Sequence, residues 1–166
     1  MINLILFLFG VDMNPQPESP PSYIEMIGHV NSQTSKEVKK ELNLVAIGTG
    51  GALMYDVKMS ALSFKCYREI DIEKGRELIV KIIEKYLKNI NEYRPIRPYL
   101  HNYPFKVENI EIRMFISKSD GRDIPDGQLN YISCLDGTIK YTASGPKWTD
   151  IILKKETFKE AVELLK

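Results

Sequence analysis

The sequence predicts an α+β domain: a twisted, mainly antiparallel sheet with one long amphipathic helix and a short C-terminal helix packed on one face. Three observations carry this. Apolar residues recur at helical spacing from about Ile72 to Glu92. Alternating segments before and after that stretch have the two-residue period of strands. Asp136-Gly137, between two such segments, is a strong short-hairpin signal.

Tyr23 to Leu42 reads as mostly helical, with Ile24, Ile27, Val38 and Leu42 on one face. Gly28 and Asn31-Ser32 predict an interruption, and Thr34 with Glu37 fits a capping box for a second short helix. Leu42 to Ile47 reads as a strand that ends at Gly48-Thr49-Gly50-Gly51. Met54 to Arg68 alternates again, with Tyr55, Val57, Met59 and Ala61 on one face and then Leu62, Phe64 and Cys66. The slip in phase at Ala61-Leu62 predicts a β-bulge there. The two strands and the glycines between them form a long hairpin.

Asp71 is a good N-cap for the long helix. Ile72, Ile79, Ile82, Ile83, Tyr86, Leu87 and Ile90 form its apolar stripe. Glu77 with Lys81 and Glu84 with Lys88 are i,i+4 pairs on its wet side. Such pairs contribute only about 0.2–0.5 kcal/mol each, so burial of the stripe must hold the helix. Pro95 and Pro98 stop it. Asn109 to Lys118 reads as a strand whose inner phase is Ile110, Ile112, Met114 and Ile116, with Phe115 on the opposite face. Leu129–Leu135 and Thr138–Thr142 form the hairpin, Asp150 to Lys154 a last strand, and Thr157 with Glu160 caps a terminal helix.

The 166 residues suit one domain, expected over 22–166. Hydrophobic residues at 43% with charged residues at 27% exclude a disordered chain. Residues 1–21 read as an apolar leader and a proline-rich tether. Ile2 to Phe9 is too short to span a bilayer. Two readings of it stand side by side: the remnant of an export signal with a peripheral membrane tether, or an apolar segment of the fold. The missing basic stretch and cleavage site place export slightly behind a cytoplasmic location.

A formal net charge of +1 gives no overall attraction to nucleic acid, so no nucleic-acid partner is expected, local patches aside. Cys66 and Cys134 lie at strand spacing beside apolar residues and read as buried thiols, with one disulfide between them the alternative if the protein is exported. The glycine cluster is no phosphate loop: Ala52-Leu53 follows where Lys-Ser/Thr is needed, and position 53 lacks the third glycine of a dinucleotide fingerprint. Asp120, Asp123 and Asp126 miss the ligand spacing of an EF-hand. His29 has no second ligand at i+4, and a metal site would need partners from distant segments. No catalytic residue, metal site or cofactor is therefore assigned.

One segment is richer. Tyr93 to Phe105 holds four aromatics, two arginines and a histidine among three prolines. Arg and Tyr stack on planar groups, bind anions and anchor interfaces, and a stiff segment loses less entropy on binding. Arg94, Arg97, Tyr99, His101 and Tyr103 are the candidate residues for binding a protein or a small anionic ligand. Packing against the core is the competing reading. The function expected is a non-enzymatic binding or interaction domain, exported or envelope-associated if the leader is a signal. The alternative is a small hydrolase using His101.

Overall fold

A computed structural model describes residues 22–166. The leader and tether assigned to 1–21 lie outside the described residues. In chain order the elements are α1 (Tyr23–Leu42), β1 (Val45–Ala52), β2 (Met59–Cys66), α2 (Ile72–Glu92), β3 (Ile110–Ile116), β4 (Leu129–Leu135), β5 (Thr138–Ser144), β6 (Asp150–Thr157) and α3 (Phe158–Glu163). The six strands form one sheet in the order β1-β2-β3-β4-β5-β6. Among these six described strands, β2 and β3 are the pair that runs parallel. Every other neighbouring pair is antiparallel. This is the α+β architecture that the periodicity predicts.

The parallel pair follows from α2. A strand that re-enters beside its predecessor in the same direction needs a crossover of a dozen or more residues, and α2 supplies it. Asp71 caps α2, its carboxylate accepting from the Lys74 amide at 2.7 Å. Leu78, Ile79, Ile82, Ile83, Tyr86 and Ile90 are buried beneath it. They meet the inward row of β2 (Leu62, Phe64, Cys66) and of β3 (Ile110, Ile112, Met114, Ile116). Gly75 lets the helix come close to the sheet: a Cβ there would collide with the Ile132 side chain.

A second long helix departs from the expected single one. α1 is continuous over 20 residues, with Ser22 rather than Thr34 as its cap. Gly28 is exposed with open space around it, so it costs only helix propensity, about 1 kcal/mol. Ile27, Val30, Asn31, Thr34 and Val38 keep one face against α2 and β1, which holds the helix through the polar stretch. Thr34 and Asn31 are buried members of a hydrogen-bonded seam. Asn89 donates to Thr34 at 3.0 Å, while Tyr86 and Ser60 both donate to Asn31, at 3.0 and 3.4 Å.

The same seam explains the misplaced bulge. The inward phase of β2 is Ser60, Leu62, Phe64 and Cys66 throughout. Ser60 is 1% exposed, with its hydroxyl satisfied by Asn31, so a polar residue at an inward position mimics a slip in phase. The irregularity lies instead in β1, between Ala46 and Gly48. The glycines are strand residues rather than the turn. Gly48 and Gly50 face Ser63 and Ala61, and the reversal runs through Leu53 to Lys58. A Cβ on Gly51 would strike the Met59 carbonyl.

The Asp136-Gly137 turn joins β4 and β5 with both residues at positive φ, 48° and 68°. Thr157 and Glu160 close the capping box of α3. Cys66 and Cys134 are both free and buried. Burial pushes both thiols up, Cys134 to about 12. A thiol reagent should therefore label neither cysteine in the folded protein at neutral pH and both once it is unfolded, read by intact mass. Labelling at the rate of a free thiol in the folded state would contradict their burial.

One ionic contact crosses the core. Arg76 on α2 donates Nε to Glu156 of β6 at 2.8 Å and Nη2 at 3.2 Å, and the Tyr141 hydroxyl donates to the same carboxylate at 2.6 Å. Arg76 and Glu156 are each 6% exposed. Burial raises the Glu156 pKa, but hydrogen bonds from Arg76, Tyr141 and Lys154 outweigh it and hold the carboxyl below 4.5. The Glu156 bonds in turn raise the Arg76 pKa. Glu156→Ala, which strands Arg76, should cost about 3–5 kcal/mol, whereas Arg76→Met with Glu156→Leu should cost much less. Because the folded pKa lies below the unfolded one, this stability is complete above about pH 4.5 and is lost as pH falls through the lowered value. Denaturant melts against pH should show that acid-side slope shrink in Glu156→Gln.

Candidate functional site

The segment after α2 is held from inside. Arg94–Tyr99 forms a 3-10 turn with prolines at 95 and 98. Ile96, Leu100 and Phe105 point into the core at 0%, 8% and 2% exposure. Asn91 fastens the far end, its side chain donating to the Phe105 carbonyl at 2.9 Å and accepting from the Phe105 amide at 2.7 Å. The middle is stitched to the β1–β2 turn. The Val57 amide donates to the Tyr99 carbonyl at 2.8 Å, and the His101 amide donates to the Val57 carbonyl at 3.1 Å. Two loops that read independently in sequence thus form a single edge.

The candidate residues divide on that edge. Arg97 turns back, its Nε and Nη2 donating to the Asn91 carbonyl at 3.0 and 2.7 Å, near the carbonyl end of α2. Its guanidinium lies 5.0 Å from the centre of the Tyr103 ring. Arg94 is exposed. Tyr99 stacks on Tyr23 at 5.8 Å between ring centres, and the Tyr23 hydroxyl donates to the carbonyls of Leu53 and Met54 at 2.8 and 3.1 Å. His101 Nδ1 lies 2.7 Å from an Asp56 carboxylate oxygen, a contact absent from the sequence reading because 45 residues separate the pair. Around this dyad stand Tyr55 at 89% exposure and Met54 at 80%, with Tyr99 and Tyr103 about half exposed.

Chemically the dyad is incomplete. Among the described residues no Ser, Thr or Cys side chain is hydrogen-bonded to the His101 ring. His101 lines none of the five principal cavities. His29 stacks on Tyr93 at 5.0 Å. Among the described residues no three His, Cys, Asp or Glu side chains gather as metal ligands, and no helix is long and apolar enough to cross a membrane.

The sheet face away from the helices carries a second cluster that the sequence only hinted at. Phe115, the one apolar residue on the outer phase of β3, lies beside Tyr131 of β4, ring centres 4.9 Å apart. Arg113, Asn130, Ser144 and Asp150 complete a cavity of about 470 Å³ around them. Compared with protein-family models, curated proteins and solved structures, the chain has no match in any of the three.

The two arginines should separate in a stability measurement. Arg97→Ala removes a cation bonded near the C-terminus of α2 and should cost about 1–2 kcal/mol in chemical denaturation. Arg94→Ala should stay within about 0.5 kcal/mol of wild type.

Proposed function

We propose that this chain is a non-enzymatic binding domain that presents the edge built from residues 53–57 and 99–103 to a protein partner. The observation that supports this is the exposure of Met54, Tyr55, Tyr99 and Tyr103 around the Asp56–His101 pair. Large side chains left in water at one place are unusual on a monomer surface, and Tyr and Met are enriched where proteins meet. The edge is also pre-ordered. Backbone bonds, the Tyr23–Tyr99 stack and the Arg97–Tyr103 contact hold it, so less entropy is lost on docking. Arg94 and the half-exposed His101 add polar contacts at the rim.

A hydrolase reading keeps one supporting feature, the carboxylate on His101 Nδ1, which is how a general base is oriented. Against it stand the open position of the dyad and the lack of a bonded nucleophile. A panel of ester and phosphoester substrates with wild type and His101→Ala decides it: turnover that vanishes in the variant would restore catalysis.

A photo-crosslinking residue at position 54, itself 80% exposed, should capture a defined partner in the native host. Tyr55→Ala with Tyr103→Ala should lose that partner by at least about tenfold, since hot-spot tyrosines contribute 2 kcal/mol or more. Position 55 is in water, so its change should leave the melting temperature alone; Tyr103 should show a small drop through Arg97. A partner retained by the double variant would move the binding surface elsewhere.

A further inference from the structure

Among the described residues the helices pack on one face of the sheet, and the side chains on the other face are ordered in rows across the strands. One row is Lys65, Phe115, Tyr131, Thr142 and Ile152, each residue directly opposite the next. The adjacent row, two residues along on β2 to β5 and three on β6, is Ser63, Arg113, Ser133, Lys140 and Lys155. The first has an aromatic pair at its centre and the second is cationic. Two residues of strand separate them, about 7 Å. Together they hold Lys65, Arg113, Lys140 and Lys155 and no carboxylate. Lys140 and Lys155 are exposed, and the Arg113 side chain is 42% exposed.

From this pattern we infer that the outer sheet face is a binding track for single-stranded nucleic acid, separate from the 53–57/99–103 edge, which lies at the opposite end of β2. The Phe115–Tyr131 pair offers a platform for an unstacked base, since every base has a π-face to lay on an aromatic ring. The cavity over it is lined by Asn130 and Ser144; the Asn130 amide donates to the Ser144 hydroxyl oxygen, which leaves the Asn130 Oδ1 and the Ser144 proton to meet a base edge. Lys140, Lys155 and Lys65 lie where a phosphodiester chain would pass beside the base. Glu111 holds Arg113 through Nε and Nη2 at 2.7 and 2.6 Å, which orients the guanidinium while offsetting part of its charge. Asp150 closes one end of the cavity and would repel phosphate there, so the backbone is directed along the lysine row. The chain's net charge of +1 argues only against a protein that is basic all over. A local row of cations beside aromatics is the footprint that matters for a single strand. A duplex fits less well, because its bases are not free to stack on the pair.

The test is fluorescence anisotropy with labelled oligothymidylate and oligouridylate dodecamers, titrated with the full chain at several salt concentrations. Binding should weaken with salt. Lys140→Gln with Lys155→Gln should reduce the slope of log K against log salt by about 0.7 for each cation removed. Phe115→Ala with Tyr131→Ala should weaken binding about tenfold or more while leaving that slope nearly unchanged. Circular dichroism melts establish that each variant is folded; Phe115→Leu with Tyr131→Leu keeps the apolar cover and should still lose the stacking. The inference is overturned if neither oligonucleotide binds at low salt, or if the aromatic variants bind as well as wild type. It is equally overturned if polyglutamate competes as well as the oligonucleotide, or if a mononucleotide binds as tightly as the dodecamer. None of these outcomes bears on the tyrosine edge, whose crosslinking stands or falls by itself.

Discussion

The packing of α2 across the middle of the sheet is the constraint from which most of the molecule follows. Its buried stripe brings β2 and β3 together in parallel, because a helix that crosses the sheet returns the chain to the end from which β2 began. Tyr86 and Asn89 on its second half receive α1 through the Asn31–Thr34 seam. Arg76 on its first half reaches the last strand through Glu156. One helix therefore sets the order of the centre, the position of the N-terminal helix and the attachment of the far edge.

The polar contacts in this core tie α2, β5 and β6 together. An apolar replacement of similar volume is often as stable as a buried ion pair, but it lacks direction. Arg76 and Tyr141 both donate to Glu156 in the register of β6 on β5 that places Glu156 opposite Ile139. The irregularity between Tyr141 and Thr142 shifts the following residues by one place, so Ile152 lies on the outer face opposite Thr142. The clamp and the bulge together decide which side chains of the edge strand face water.

Covering a sheet on one face divides its residues between two tasks. The inner phase is apolar and packed. The outer phase is free to carry chemistry, and it holds the aromatic and cationic rows. The tyrosine edge arises differently, where the proline-stiffened segment after α2 meets the β1–β2 turn. In both places side chains from separate elements meet on a hydrogen-bonded backbone.

Periodicity and local capping were legible in the sequence where one interaction decides an element. The α2 stripe with its Asp71 cap, the Asp136-Gly137 hairpin, the β3 alternation and the Thr157–Glu160 box all act within a few residues, so the sequence contains both partners. The α+β class and the buried cysteines follow from the same local patterns. What failed were places where a distant partner overrides a local preference. Thr34 reads as a cap until Asn89 binds it, Ser60 reads as a slip in phase until Asn31 satisfies it, and the glycines read as a turn until β2 pairs with them. Strand order, the Arg76–Glu156 clamp, the Asp56–His101 pair and the Phe115–Tyr131 pair were decided by tertiary structure alone. Each joins residues from separate elements, and no spacing along the chain encodes a contact that exists only after α2 has brought the strands together.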